Sequence, residues 1–314
     1  MRTLRLCLAL SLAALFIAVA PPALGLASRV FVSQRSGSDA NPCNNILTPC
    51  QTFAGAVLQL NPGGEAIVLD SGGYGKVTIT QSVTIEAPPG VLAFIHPSTA
   101  VDAVTVNAAG AIVVLRGLTI DGAGQTTGSG ISVAAVSVLH VENCVIAGFA
   151  GTTGADGNGI FFNSGGQLFV KDTIIRGNGY VGIWVFPSGT VQASMDHCRL
   201  EQNQYGLVSD ANNLSFTVQA TIKDSVVSGN SFKGLVAQNG GELNAEQCLV
   251  ANNAIGLEAT GTPLPGTLRA SNCTVTDNDQ ALASGFSSPL LSRLNNTVVG
   301  NTTPGFFTGT FAAQ

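Results

Sequence analysis

An Asn-x-x-(x)-Gly-Ile/Leu phrase recurs through the second half of this chain and constrains its fold more than any other feature. Asn178 leads to Gly182-Ile183, Asn203 to Gly206-Leu207, Asn230 to Gly234-Leu235 and Asn253 to Gly256-Leu257. Asn278 leads to a degenerate Ala281-Leu282, and Asn301 to Gly305-Phe306. Successive asparagines lie 25, 27, 23, 25 and 23 residues apart. A period in that range marks a solenoid, whose single coil cannot bury its own apolar face and must stack on its neighbours.

A second phrase runs in register with the first. Val141-Glu-Asn-Cys144-Val-Ile146 recurs as Val170-Lys-Asp-Thr173-Ile-Ile175, Met195-Asp-His-Cys198-Arg-Leu200 and Ile222-Lys-Asp-Ser225-Val-Val227. It continues through Cys248 and Cys273 and is read to end with Leu294-Asn-Asn-Thr297-Val-Val299. The apolar alternation predicts short strands, and the Asn/Asp before the Cys/Thr/Ser position is a turn residue that tolerates left-handed backbone. The Leu-x-x-Leu-x-Leu pattern of leucine-rich repeats is missing. Stacked coils of this kind form an all-β parallel β-helix of about nine to ten coils.

The boundaries follow. Residues 1–27 read as a signal peptide: Arg2 and Arg5, an apolar run from Leu6 to Ala20, then Pro21-Pro22 and small residues up to Ala27. This predicts a secreted or periplasmic protein with no membrane span after cleavage. Residues 28–65 read as an N-terminal cap, with a strand at Arg29–Ser33 and a short helix from Thr52 carrying Phe53, Ala56, Val57 and Leu60. The coils run over 66–305. The tail 306–314, with Phe306, Phe307 and Phe311, is expected to cover the far end, because a bare solenoid end exposes strand edges.

Charged residues are only 10% of the chain and the formal charge is −5, which leaves no basic footprint for nucleic acid. Cys43 and Cys50 flank a short Pro-containing loop and are expected to form a disulfide. Cys144, Cys198, Cys248 and Cys273 share one coil position, which predicts a small inward-facing stack. The redox state of the neighbours Cys248 and Cys273 stays open. No metal site is expected.

These repeats, the opening Gly37-Ser-Asp39-x-Asn41-Pro-Cys43 with Pro49-Cys50-Gln-Thr-Phe53, and Gly72-Gly-Tyr-Gly75 resemble exported bacterial right-handed parallel β-helix proteins of the pectin/pectate lyase-like superfamily. The resemblance covers the whole mature chain. It implies an architecture rather than an activity, since that superfamily holds lyases, hydrolases, epimerases, phage spikes and proteins without assigned chemistry. It also implies a cleft along the Gly-Ile strand face, beside the longer loops.

On that face, alternation puts Ile131, Ile160, Ile183, Leu207, Leu235 and Leu257 inward. Outward come Ser132, Phe161, Trp184, Val208, Val236 and Glu258, then Ala134, Asn163, Phe186, Asp210, Gln238 and Thr260. Phe161, Asn163, Trp184, Phe186 and Asp210 are therefore the candidate ligand-binding residues, because sugar rings stack on flat aromatic faces. The alternative is that loop 147–158 folds over the rings as a satellite core, with Tyr180 and Tyr205 lining either arrangement.

Catalytic candidates are sparse: Asp210, Glu258, Lys233 and His140. Asp210 and Glu258 lie about 12 Å apart by strand spacing, beyond the roughly 5–9.5 Å of glycosidase carboxyl pairs. Arg176, in another adjoining loop, would need special placement to help. His197 sits at a turn position and His96 in a loop. The Asn-Thr-Asp/Gly-His-Gly, Arg-x-Pro-x-x-Arg and Asp-Pro-His-Asp motifs of related enzymes are absent.

The row Glu142, Lys171, Asp196, Lys223 and Glu246 alternates in sign and reads as structural. A row including Val145, Ile174, Val226, Leu249 and Val298 could serve oligomerisation. The leading expectation is a module that binds a polysaccharide or cell-surface glycan, with no cofactor. The alternatives are a polysaccharide lyase or glycoside hydrolase acting on an acidic polysaccharide, with Ca²⁺ only in the lyase case, and a structural or adhesive oligomer.

Overall fold

The computed structural model describes residues 26–99, 101–212 and 216–312. The signal-like segment up to residue 25 lies outside the described residues, whereas Ala27 opens the first strand, Ala27–Val32. Every strand pairing within the sheets is parallel, and the strands form three long sheets of twelve, ten and nine members. One coil visits each sheet once. Val138–Glu142 lies in the twelve-strand sheet, Val145–Phe149 in the ten-strand sheet and Ile160–Phe162 in the nine-strand sheet, before Gly166–Lys171 starts the next coil.

Each corner has its own chemistry. Between the twelve- and ten-strand sheets the chain turns on one residue with positive φ: Asn143, Asp172, His197, Asp224, Gln247 and Asn272 fall between 46° and 53°. Short polar side chains tolerate that backbone best. The next residue points inward, so Cys144, Thr173, Cys198, Ser225, Cys248 and Cys273 form a buried column. All four of these cysteines are free thiols. The last repeat departs from the expected register. Thr274 pairs with Thr297, so Asn296 opposes Cys273 and accepts its backbone N–H at 2.9 Å, while Val298 pairs with Val275 of the inner row. The outer row of that sheet is also broken by Arg199, which pairs with Glu201.

The second corner carries the asparagine ladder. The side-chain oxygens of Asn203, Asn230, Asn253, Asn278 and Asn301 each accept the backbone N–H and the side-chain amide of the asparagine one coil earlier, at 2.9–3.3 Å. The glycine of the repeated phrase is there for space. A Cβ on Gly206 would sit 2.6 Å from the Gly234 carbonyl and 3.2 Å from the Asn230 amide. Ala281 is accommodated where no further strand extends the nine-strand sheet.

On the outside of the twelve-strand sheet the alternating charges lie in register and extend two coils further than the sequence suggested, as Glu86, Arg116, Glu142, Lys171, Asp196, Lys223 and Glu246. Arg116 bridges Glu86 at 3.0 Å and Glu142 at 2.8 Å. Cross-strand pairs of this kind fix register and each contributes only about 0–1 kcal/mol.

The N-terminal cap consists of the helix Phe53–Leu58, capped by Thr52, whose hydroxyl accepts the Gly55 N–H at 3.0 Å. Phe53 and Ala56 are fully buried against the first coil. The Cys43–Cys50 disulfide closes the loop before it. Replacing both cysteines by serine is expected to cost about 2.5 kcal/mol from loop-closure entropy, read as a fall of the melting temperature that reductant reproduces in the parent protein. An unchanged melting temperature would show that the loop is held without it. At the other end Phe307 packs on the core, but Phe306 is 77% exposed and does not cover the last coil.

Candidate functional site on the nine-strand sheet

The nine-strand sheet keeps the expected alternation. Ile131, Ile160, Ile183, Leu207, Leu235 and Leu257 are fully buried, and Ser132, Phe161, Trp184, Val208, Val236 and Glu258 form one outward row. A further outward column arises because the glycine corner breaks the alternation. Val181, Tyr205, Lys233 and Ile255 are paired one above another beside that row.

The rings of these residues and their neighbours form one continuous strip. Phe186 lies 4.9 Å from Trp184 between ring centroids, and Phe161 lies 5.2 Å from Trp184. Tyr180 meets Trp184 edge-on at 5.5 Å and Tyr205 at 5.6 Å; Tyr205 meets Phe232 at 5.3 Å. The strip ends where the Lys233 ammonium lies 4.7 Å from the Phe232 ring centroid, a cation–π contact, and pairs with Glu258. It crosses four successive coils, an axial span of roughly 14 Å at the spacing of parallel strands.

Beneath the rings is a small outer cluster of its own. Val181, Val208 and Val236 are buried under Tyr180, Trp184 and Tyr205, which stay half-exposed. Loop 147–158 meets the strip at its backbone, where Gly157 O accepts the Tyr180 N–H at 3.0 Å. That loop is tied to the preceding coil and to the corner: Ala150 N–H donates to Gln125 O, Gly157 N–H to Gly128 O, and Gly128 N–H to the Asp156 carboxylate. Burial raises the Tyr180 hydroxyl pKa, with Asp210 adding to it, and pushes Tyr205 up to about 12, with Tyr180 and Glu258 adding to that. Both hydroxyls stay protonated at neutral pH and so keep a proton to donate.

The polar candidates separate. Asp210 is 3% exposed and accepts from Asn212 N–H at 2.7 Å, Gln238 Nε2 at 2.7 Å and Asn239 Nδ2 at 3.1 Å. It holds the turn after its strand. Glu258 and Lys233 are mutually paired with side chains only 13% and 14% exposed, which leaves neither free as a base. His140 is on a different sheet, stacked on Phe169 at 5.0 Å and 3.8 Å from Glu142. Arg176 ends a strand of the ten-strand sheet opposite Glu201. The four catalytic candidates therefore do not converge. Asn163 and Phe186 follow the same strand ends and stay partly exposed.

Sequence reasoning passed over Asp102 and Asp156 at the N-terminal end of this face. Burial raises the Asp102 carboxyl pKa, the Ser129 N–H and Ser132 hydroxyl oppose the shift, and Asp156 adds to it. Asp102 precedes an irregular early coil, so only the register Val104 to Ile131 reveals its place in the column. Among the described residues, Asp196, His197 and Asp224 are the grouping with metal-ligand spacing, on the far corner. His197 is bonded there to Asp196 at 2.9 Å and Asp224 to Lys223 at 3.2 Å.

Residues 101–255 match the family described as a right-handed β-helix region. No curated protein sequence matches the chain. Among solved structures, a pectate lyase is similar with a TM-score of 0.53 at 14% identity, over 92% of this chain and 78% of the lyase. A lacto-N-biosidase from Eubacterium ramulus is similar with a TM-score of 0.52 at 10% identity, over 91% of this chain and 67% of the biosidase. Identities this low speak to the fold.

Proposed function

The chain is a right-handed parallel β-helix with the pectin lyase-like fold, and from that premise we propose that it is an exported module that binds a glycan along the aromatic strip of its nine-strand sheet. The observation that carries this reading is the unbroken run of rings from Phe186 to Phe232, partly exposed on a regular face. Partly exposed rings with protonated phenols offer apolar faces to sugar C–H groups and donors to sugar oxygens. The Cys43–Cys50 disulfide fits an oxidising compartment, and no described helix is long and apolar enough to cross a membrane.

Trp184 is the sole tryptophan of the chain, so its emission reports on the strip directly. Titration with a bound polysaccharide is expected to shift that emission, and Trp184→Ala is expected to weaken retention on the same polysaccharide about tenfold or more, a loss of about 1.4 kcal/mol or more. The variant keeps the far-ultraviolet dichroism of the parent. Unaltered retention with Trp184→Ala would sink the reading.

A second reading, a glycoside hydrolase or lyase, is favoured by one observation: two carboxyl groups, Asp102 and Asp156, lie near each other where the strip begins, with the pKa of one raised. A pair of neighbouring carboxyl groups is what glycosidic cleavage requires. New reducing ends or unsaturated products from a polysaccharide panel, abolished by Asp102→Asn, would support it. Silence across the panel removes it.

A further inference from the structure

Resting on the proposed glycan strip, we infer that its ligand is a neutral glycan rather than a uronate polymer. The argument is the charge that lines the face. The strands of the nine-strand sheet and the turns leading into and out of them carry six acids, Asp102, Asp156, Asp210, Glu258, Asp277 and Asp279. They carry two lysines, Lys76 and Lys233. Lys76 precedes the first strand of that sheet, three strands away from Phe161. Lys233 is already paired with Glu258 in a contact that leaves both side chains almost covered.

A uronate chain brings one carboxylate per sugar and needs either a cation to pair with it or a bridging metal ion. Withdrawing Lys233 to meet it would strand Glu258 as a buried unpaired charge, which is unfavourable. A metal bridge needs several carboxylates aimed at one point. Here Asp210 is engaged with Asn212, Gln238 and Asn239, Asp156 with Gly128, and Asp102 with Ser129. The remaining field repels an anionic chain over about 8 Å at physiological salt. A neutral sugar meets no such obstacle and gains the ring faces in full.

The test compares neutral polysaccharides with polygalacturonate and alginate, by Trp184 emission and affinity electrophoresis, at low salt, with Ca²⁺ and with chelator. Neutral chains are expected to shift the emission and to bind at least about tenfold more tightly than uronates. Glu258→Gln, which releases Lys233, is expected to gain uronate binding that salt abolishes. Uronate binding by the parent protein, with or without Ca²⁺, that Trp184→Ala removes would overturn the inference while leaving the strip intact. Failure of both classes to perturb Trp184 would overturn the strip and the inference together.

Discussion

Asn230→Ala is expected to lower stability by about 3–4 kcal/mol, which for a domain of this size means a melting temperature lower by about 5–7 °C. Asn230 is 1% exposed and makes four side-chain hydrogen bonds. Its oxygen accepts from the Asn203 backbone at 3.1 Å and from the Asn203 amide at 3.3 Å; its own amide donates to Leu200 O at 3.1 Å and to Asn253 Oδ1 at 2.9 Å. Alanine removes all four, leaves the buried Asn203 backbone N–H without a partner and takes one acceptor bond from the Leu200 carbonyl, with the unpaired group costing about 1–3 kcal/mol before relaxation.

The isosteric Asn230→Asp is the sharper variant. It keeps the shape but presents oxygen to two oxygens, so it should destabilise at least as much at neutral pH and recover part of the loss in acid, where the carboxylic acid can donate. Asn301→Ala is the control. Asn301 makes the same kind of contacts at the partly exposed end of the ladder, where water can replace what is lost. A loss at Asn230 as small as that at Asn301, below about 1 kcal/mol by denaturant unfolding, would mean that the ladder is incidental to stability.

The ladder also explains why so much of this fold is legible in one sequence. Asparagine and glycine recur together because the amide of one coil occupies the space that a Cβ on the preceding coil's strand would need, as at Gly206 beside Asn230. A constraint repeated in every coil becomes a period in the chain. The corner residues from Asn143 to Asn272 are legible for the same reason. Where the constraint doubles, the reading slips: Asn295 and Asn296 both offer a turn residue, and the structure uses them one place away from the expected register.

The candidate site is legible only in part. Phe161, Trp184 and Phe186 follow from strand alternation, since their rows are regular. Glu258 follows from the same alternation, but its link to the rings through Phe232 and Lys233 does not, because it needs the outward column created where the glycine corner interrupts that alternation. Asp210 looks exposed by parity, yet the turn that follows supplies one donor, Asn212, and the next coil two more, Gln238 and Asn239. Parity gives the side of the sheet a residue lies on, and only the loops decide whether that side is open.

Raising the pH from 9 towards 11 is expected to destabilise the protein by several kcal/mol through its buried thiols. Burial pushes Cys144 up to about 11 and Cys198 up to about 12, from an ordinary thiol value of 9.0. Below pH 9 the thiols are protonated in both folded and unfolded chains, so the folded state gains nothing and loses nothing. Above pH 9 the unfolded thiols ionise while the folded ones hold their protons, and stability falls until the folded pKa is reached. A shift of about two units at Cys144 alone corresponds to a loss of about 2.7 kcal/mol by pH 11. The column supplies its own controls. Thr173 and Ser225 occupy the same position and donate to the carbonyl two residues back, as the cysteines do. Cys144→Thr with Cys198→Ser should therefore fold normally and reduce, without abolishing, the fall of the unfolding free energy between pH 9 and 10, because Tyr180, Tyr205 and Cys248, all raised in the folded chain, still contribute. An alkaline arm of unchanged slope in that double variant would place the sensitivity elsewhere. The slope in the parent should track protons released on unfolding, read by calorimetry in buffers of different ionisation enthalpy.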